Sequence, residues 1–105
     1  MKFENIHRIY FLGIGGIGMS ALARYFLAGG FDVAGYDKTS THLTDQLIKE
    51  GCRVHFTEDQ DEIPIPFSSL AKKDSTLIVY TPAVSKDHAE LMFFEANKYH
   101  ILKRS

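Results

Sequence analysis

Short apolar runs alternate along this 105-residue chain with longer segments that carry one apolar face. Arg8-Ile9-Tyr10-Phe11-Leu12-Gly13 is nearly continuous and rich in β-formers, the pattern of a strand covered on both faces of a parallel sheet. From Ile17 the period lengthens. Ala21, Leu22, Tyr25 and Phe26 share a helical face, Arg24 points away from it, and Gly29-Gly30 ends the segment. Phe31–Tyr36 reads as a second strand ending at Asp37. The loop Lys38-Thr39-Ser40-Thr41 offers hydroxyls for an N-cap, and Leu43, Leu47 and Ile48 predict a short helix closed by Gly51. Cys52–Phe56 alternates with period two and predicts a third strand. Thr57–Lys73 is acidic at Glu58, Asp59, Asp61 and Glu62 and broken by Pro64 and Pro66. It reads as a surface loop with a helical turn around Phe67–Leu70. Thr76–Tyr80 is the most apolar strand. Asp87 with Glu90 has the form of a capping box, and Ala89, Met92, Phe93 and Ala96 predict a helix that buries their common face. His100–Lys103 is a fifth strand.

Strands alternating with helices mean βαβ units and right-handed crossovers. The expected fold is α/β: a Rossmann-like three-layer domain with a mostly parallel five-stranded sheet, residues 1–105 forming one unit. With 45% hydrophobic and 24% charged residues, the chain is neither a disordered tail nor a disulfide scaffold. Twelve basic against 13 acidic residues leave no excess for gripping nucleic acid. Cys52 has no partner and reads as a small core hydrophobe. His7, His42, His55, His88 and His100 show no metal-ligand spacing and read as surface or capping residues, so no metal site is expected. The apolar runs are too short to cross a bilayer, and Met1–Asn5 lacks the features of a signal peptide. These features predict a cytoplasmic protein without membrane insertion.

The candidate chemistry sits where the strands end. In such sheets ligands bind beyond the carboxyl ends, where strand order reverses. Gly13, Gly15 and Gly18 satisfy G-x-G-x-x-G directly after a strand and at a helix start. Gly13 permits the tight turn, Gly15 lets backbone approach a pyrophosphate, and Gly18 lets the helix pack close to the sheet. The helix N-terminus offers free N–H groups and partial positive charge to phosphates. Gly16 is a further small residue on the approach, and Ser20 has a hydroxyl to donate. Asp37, nineteen residues after Gly18, stands where an acidic residue contacts ribose hydroxyls. The plainer readings are a tight β–α turn and a solvated or capping aspartate. On these grounds the chain binds a nucleotide diphosphate, of a kind the residues alone do not specify, and carries no catalytic residue.

Gly13-Ile14-Gly15-Gly16-Ile17-Gly18-Met19-Ser20 resembles the opening loop of the L-alanine-adding branch of the Mur ligases of peptidoglycan synthesis. Gly35-Tyr36-Asp37, Thr44-x-x-Leu47, Gly51-Cys52-Arg53-Val54, Thr81-Pro82-Ala83-Val84, Asp87-x-x-Glu90-Leu91 and Lys103-Arg104 extend the likeness over the whole chain. The resemblance implies an N-terminal domain that holds the UDP part of UDP-N-acetylmuramic acid. The backbone of Gly15, Gly16, Ile17, Gly18, Met19 and Ser20 would serve the phosphates and Asp37 the uridine end. Thr39, Thr44 and the loop Thr81, Pro82, Ala83 are further contacts. It also implies a bacterial, cytoplasmic enzyme in which ATP and Mg2+ act on a separate central domain. There the muramate carboxylate becomes an acyl phosphate that the L-alanine amine attacks. This sequence holds no G-x-x-x-x-G-K-[ST], so that ATPase domain and the C-terminal domain are absent from it. The present chain is therefore expected to bind no cofactor and to be inactive alone. Glu58 stands where the family often has histidine, and Tyr36 replaces a small residue before Asp37.

Two other functions share parts of this pattern. An NAD(P)-binding Rossmann domain, in a dehydrogenase or a ligand-sensing regulatory module, would use the same glycines and Asp37 but gains nothing from Met19-Ser20 or Thr81–Val84. An interaction scaffold leaves the glycine loop unexplained.

Overall fold

The computed structural model describes residues 3–104. Its strands are β1 (Arg8–Leu12), β2 (Asp32–Tyr36), β3 (Arg53–His55), β4 (Thr76–Tyr80) and β5 (His100–Lys103), and its helices α1 (Ile17–Ala28), α2 (His42–Lys49) and α3 (Ala89–Ala96). The sheet runs β3-β2-β1-β4-β5, and every pairing is parallel. Order reverses between β1 and β4, which are in register from Arg8↔Thr76 to Leu12↔Tyr80. The expected α/β sheet is thus observed, and it is wholly parallel.

The apolar run of β1 is buried on both sides, as its composition demands. Ile9 and Phe11 face α1 and α2 with Val33, Leu77 and Val79, while Tyr10 and Leu12 face α3 with Ile78, Leu91 and Phe94. On the α1 side the buried residues are Met19, Ser20 and Ala23, flanked by half-buried Leu22 and Phe26. Ala21 and Tyr25, expected on this face, are exposed, because the helix is rotated to put its small residues against the sheet. Gly30 at φ +88° and Gly51 at φ +102° follow α1 and α2, where the left-handed region favours glycine.

Two expectations are corrected on the other face. Glu90, Leu91 and Phe94 are buried in α3, whereas Met92 and Ala96 are exposed. Apolar periodicity misses this face because its first residue is a carboxylate. Likewise, 57–73 is no mere surface loop. In place of a crossover helix it forms two 3-10 turns, Gln60–Glu62 and Leu70–Ser75, and inserts Ile63 and Phe67 into the core. Phe67 is fully buried 5.7 Å from the Tyr10 ring, and its carbonyl accepts the Tyr99 hydroxyl at 2.8 Å.

Candidate functional site

The glycine loop is folded back over the end of β2. Gly13, at φ +89°, and Ile14 both donate to the Tyr36 carbonyl, at 2.8 and 3.0 Å. Gly15 N–H donates to Asp37 Oδ2 at 2.8 Å, and Thr39 N–H to Asp37 Oδ1 at 3.0 Å. A Cβ on Gly15 would lie 2.8 Å from that Oδ2, so the first requirement for glycine here is the chain's own aspartate. Asp37 therefore ties the loop to β2, with each oxygen already accepting one backbone N–H.

Helix α1 starts behind this loop. Gly16 is its N-cap and supplies no side-chain hydrogen bond. Its first internal bond runs from Ser20 N–H to the Gly16 carbonyl at 2.7 Å. Among the described residues, the N–H groups of Ile17, Gly18 and Met19 have no protein acceptor. The Arg104 guanidinium lies over Gly18, 3.2 Å from where a Cβ would be. Arg104 is held there by its own N–H, which donates to the Tyr80 carbonyl at 2.8 Å.

Beside the loop, the strand ends enclose a cleft of about 290 Å³. Gly13 closes it from β1, and Tyr36, Asp37 and Lys38 from β2. Glu58 enters from beyond β3, and Thr81 and Ala83–Ser85 from beyond β4, with His88 at the back. A larger, shallower depression of about 500 Å³ beside Arg24, Tyr25 and Glu50 lies on the outer side of α1, away from the strand ends. Tyr36 packs edge-on against His88, with centroids 4.7 Å apart. Burial, and then Glu58, raise the Tyr36 hydroxyl above the ordinary 10.0, so it stays protonated.

The expected site residues divide sharply. Gly13, Asp37, Thr81 and Ala83 line the cleft, Thr39 and Pro82 are exposed nearby, and Gly15–Met19 surround the helix start. Ile17 presents an exposed side chain, while Met19 sends its own into the core. Thr44 is fully buried beneath the glycine loop, its methyl 3.1 Å from where a Gly15 Cβ would lie, and its hydroxyl forms a reciprocal capping box with Thr41 at the start of α2. The Ser20 hydroxyl is spent within the helix, donating to the Ile17 carbonyl at 3.1 Å. Composition suggests hydroxyls for a ligand, but local backbone groups claim both.

At α3 the cap also differs from expectation. His88, not Asp87, is the N-cap, its Nδ1 accepting the Glu90 N–H at 3.1 Å, while Asp87 accepts the Ser85 hydroxyl. Glu58 satisfies the neighbouring donor, taking the Ala89 N–H at 2.9 Å, so it helps cap α3. Glu90, free of any capping duty, is buried against the Tyr10 hydroxyl, His55 Nε2 at 2.8 Å and Asp59 N–H at 3.3 Å. Burial and the Glu90 carboxylate push the Tyr10 hydroxyl far above its usual range. No sequence pattern announces this network; a carboxylate within an apolar helical segment is its single trace.

A parallel sheet with this order, a G-x-G-x-x-G turn at its switch point and an open helix N-terminus define a Rossmann-like α/β domain. Residues 8–105 match the Mur ligase family, catalytic domain, and the chain belongs to that family. It is 58% identical over 98 residues to UDP-N-acetylmuramate–L-alanine ligase of Porphyromonas gingivalis, covering 93% of this chain and 21% of that protein. With the ligase of the same name from Cytophaga hutchinsonii it shares 52% over 105 residues, all of this chain and 22% of the relative. The crystal structure of UDP-N-acetylmuramate-alanine ligase from Thermotoga maritima superposes with a TM-score of 0.78 at 33% identity, covering 92% of this chain and 20% of that one. The chain thus spans about a fifth of the length of the curated relatives it matches.

Proposed function

We propose that this chain holds the UDP end of UDP-N-acetylmuramic acid for a longer bacterial, cytoplasmic protein that joins the muramate carboxylate to L-alanine. The observation that carries this reading is the open start of α1, where three unaccepted N–H groups and the Arg104 guanidinium converge beside a cleft sized for part of a nucleotide. Diphosphate oxygens would accept from Ile17, Gly18 and Met19, with Arg104 compensating their charge. The relatives' names supply the sugar and the amino acid.

ATP and Mg2+ belong elsewhere in the longer protein. The sequence lacks a G-x-x-x-x-G-K-[ST] loop. This chain's part is binding and orientation. Asp37 does not separate this reading from a dinucleotide one, because each of its oxygens accepts one backbone N–H and keeps acceptor capacity for a ribose hydroxyl of either ligand.

Calorimetric titration with UDP-N-acetylmuramate, with NAD and ATP as parallel controls, tests the proposal. Saturable heat is expected with the uridine ligand alone, and it should vanish in Gly15→Val, whose fold is checked by circular dichroism. Saturation by NAD but not by the uridine compound would overturn the reading.

A further inference from the structure

His88 is 6% exposed, and its Nε2 has no hydrogen-bond partner among the described residues although its ring lines the cleft. A buried polar nitrogen without a partner is costly unless something else completes it. The ring's orientation is fixed from both sides. Nδ1 accepts the Glu90 N–H, which places the neutral ring's proton on Nε2, and Tyr36 packs against the imidazole edge-on. The nearest carboxylate, Glu58 Oε1, stands 3.8 Å away, beyond hydrogen-bond range, while its other oxygen caps Ala89. We infer that His88 Nε2–H is a ligand donor of the cleft, completed by a neutral acceptor at the nucleoside end of the bound diphosphate: a base carbonyl or a ribose hydroxyl.

Charge gives the ligand its direction. Glu58 borders the cleft 3.8 Å from His88 Nε2, so a phosphate beside His88 would face a carboxylate. Although Lys38 also lines the cleft, the start of α1 and Arg104 together offer positive potential and unaccepted N–H groups at the glycine loop. A nucleoside against His88 and Tyr36, with its phosphates towards Gly18, meets complementary groups along its whole length. Position 88 thereby becomes a specificity-determining residue, rejecting a nucleoside that lacks an acceptor there.

This inference rests on the proposed uridine-diphosphate site, and one set of titrations separates the two. Wild-type chain and His88→Asn are titrated with UDP and with uridine; asparagine is a good N-cap, so α3 keeps its start while the reach into the cleft is shortened. Affinity for both ligands is expected to fall about fivefold to twentyfold in the variant, with an unchanged melting midpoint. Equal affinity in both proteins would overturn the role of His88 and leave the site reading intact. Loss confined to UDP would move the contact to the phosphates and equally overturn it. No binding of UDP by the wild type would overturn the site reading itself, and this inference with it. Should His88→Asn fold poorly, the 15N resonance of His88 Nε2 in the wild type decides: a shift on adding uridine supports the contact, and an unmoved resonance at saturation refutes it.

Discussion

A side chain at residue 15 would meet Asp37 Oδ2 at 2.8 Å and the Thr44 methyl at 3.1 Å, both held by bonds of their own. Gly15→Ala is therefore expected to cost about 1–3 kcal/mol by overpacking, read as a lowered urea midpoint. In the double variant with Asp37→Ala the penalties should be less than additive, because removing the carboxylate frees the space that the methyl needs. At this scale the sequence is only partly readable. G-x-G-x-x-G and Asp37 stand out by spacing, but nothing in the spacing shows that the acid and the second glycine bond each other. Thr44 and Ser20 look available because a hydroxyl's partner cannot be read from its name. Glu90 and His88 are silent for a related reason: their meaning lies in Tyr10, His55 and Tyr36, brought together from three different strands.

Elements are legible where punctuation is strong. Glycines mark the ends of α1 and α2, and the unbroken apolar runs of β1 and β4 fall on inner strands buried on both faces, as β2 is too. Helix α2 has eight residues and depends on its cap: Thr41 Oγ1 accepts Thr44 N–H at 3.3 Å, and Thr44 Oγ1 accepts Thr41 N–H at 2.8 Å. Thr41→Ala should cost about 1 kcal/mol in unfolding free energy, and Thr41→Asp should recover most of it. The segment between β3 and β4 is hard to read for the opposite reason. Its prolines exclude a helix, yet Ile63 and Phe67 are as buried as any strand residue. Phe67→Ala is expected to lower stability by about 3–5 kcal/mol, the range of a fully buried aromatic truncated in a core, measurable by chemical denaturation.

Across the whole molecule, the resolved acid shifts run one way. Burial raises Cys52 from 9.0 to about 12, and it is the leading cause of the upward shifts of Tyr10, Tyr36 and Tyr99 from 10.0. The folded chain keeps these protons to higher pH than the unfolded chain. Their stabilising contribution is thus complete below about pH 9 and is lost as pH rises beyond it. Urea midpoints should fall between pH 9 and 11, less steeply in Tyr10→Phe, and the Cys52 thiol should react with a disulfide reagent at pH 8 only after unfolding. The parallel order also bears on how the chain comes into being. Its first strand is the middle one, flanked by β2 on one side and β4 on the other. During synthesis from the N-terminus β1 can pair with β2 early, but its second edge stays open until Thr76–Tyr80 leaves the ribosome. Until then the nascent chain carries an unpaired apolar edge, and that interval is when a chaperone has most to shield.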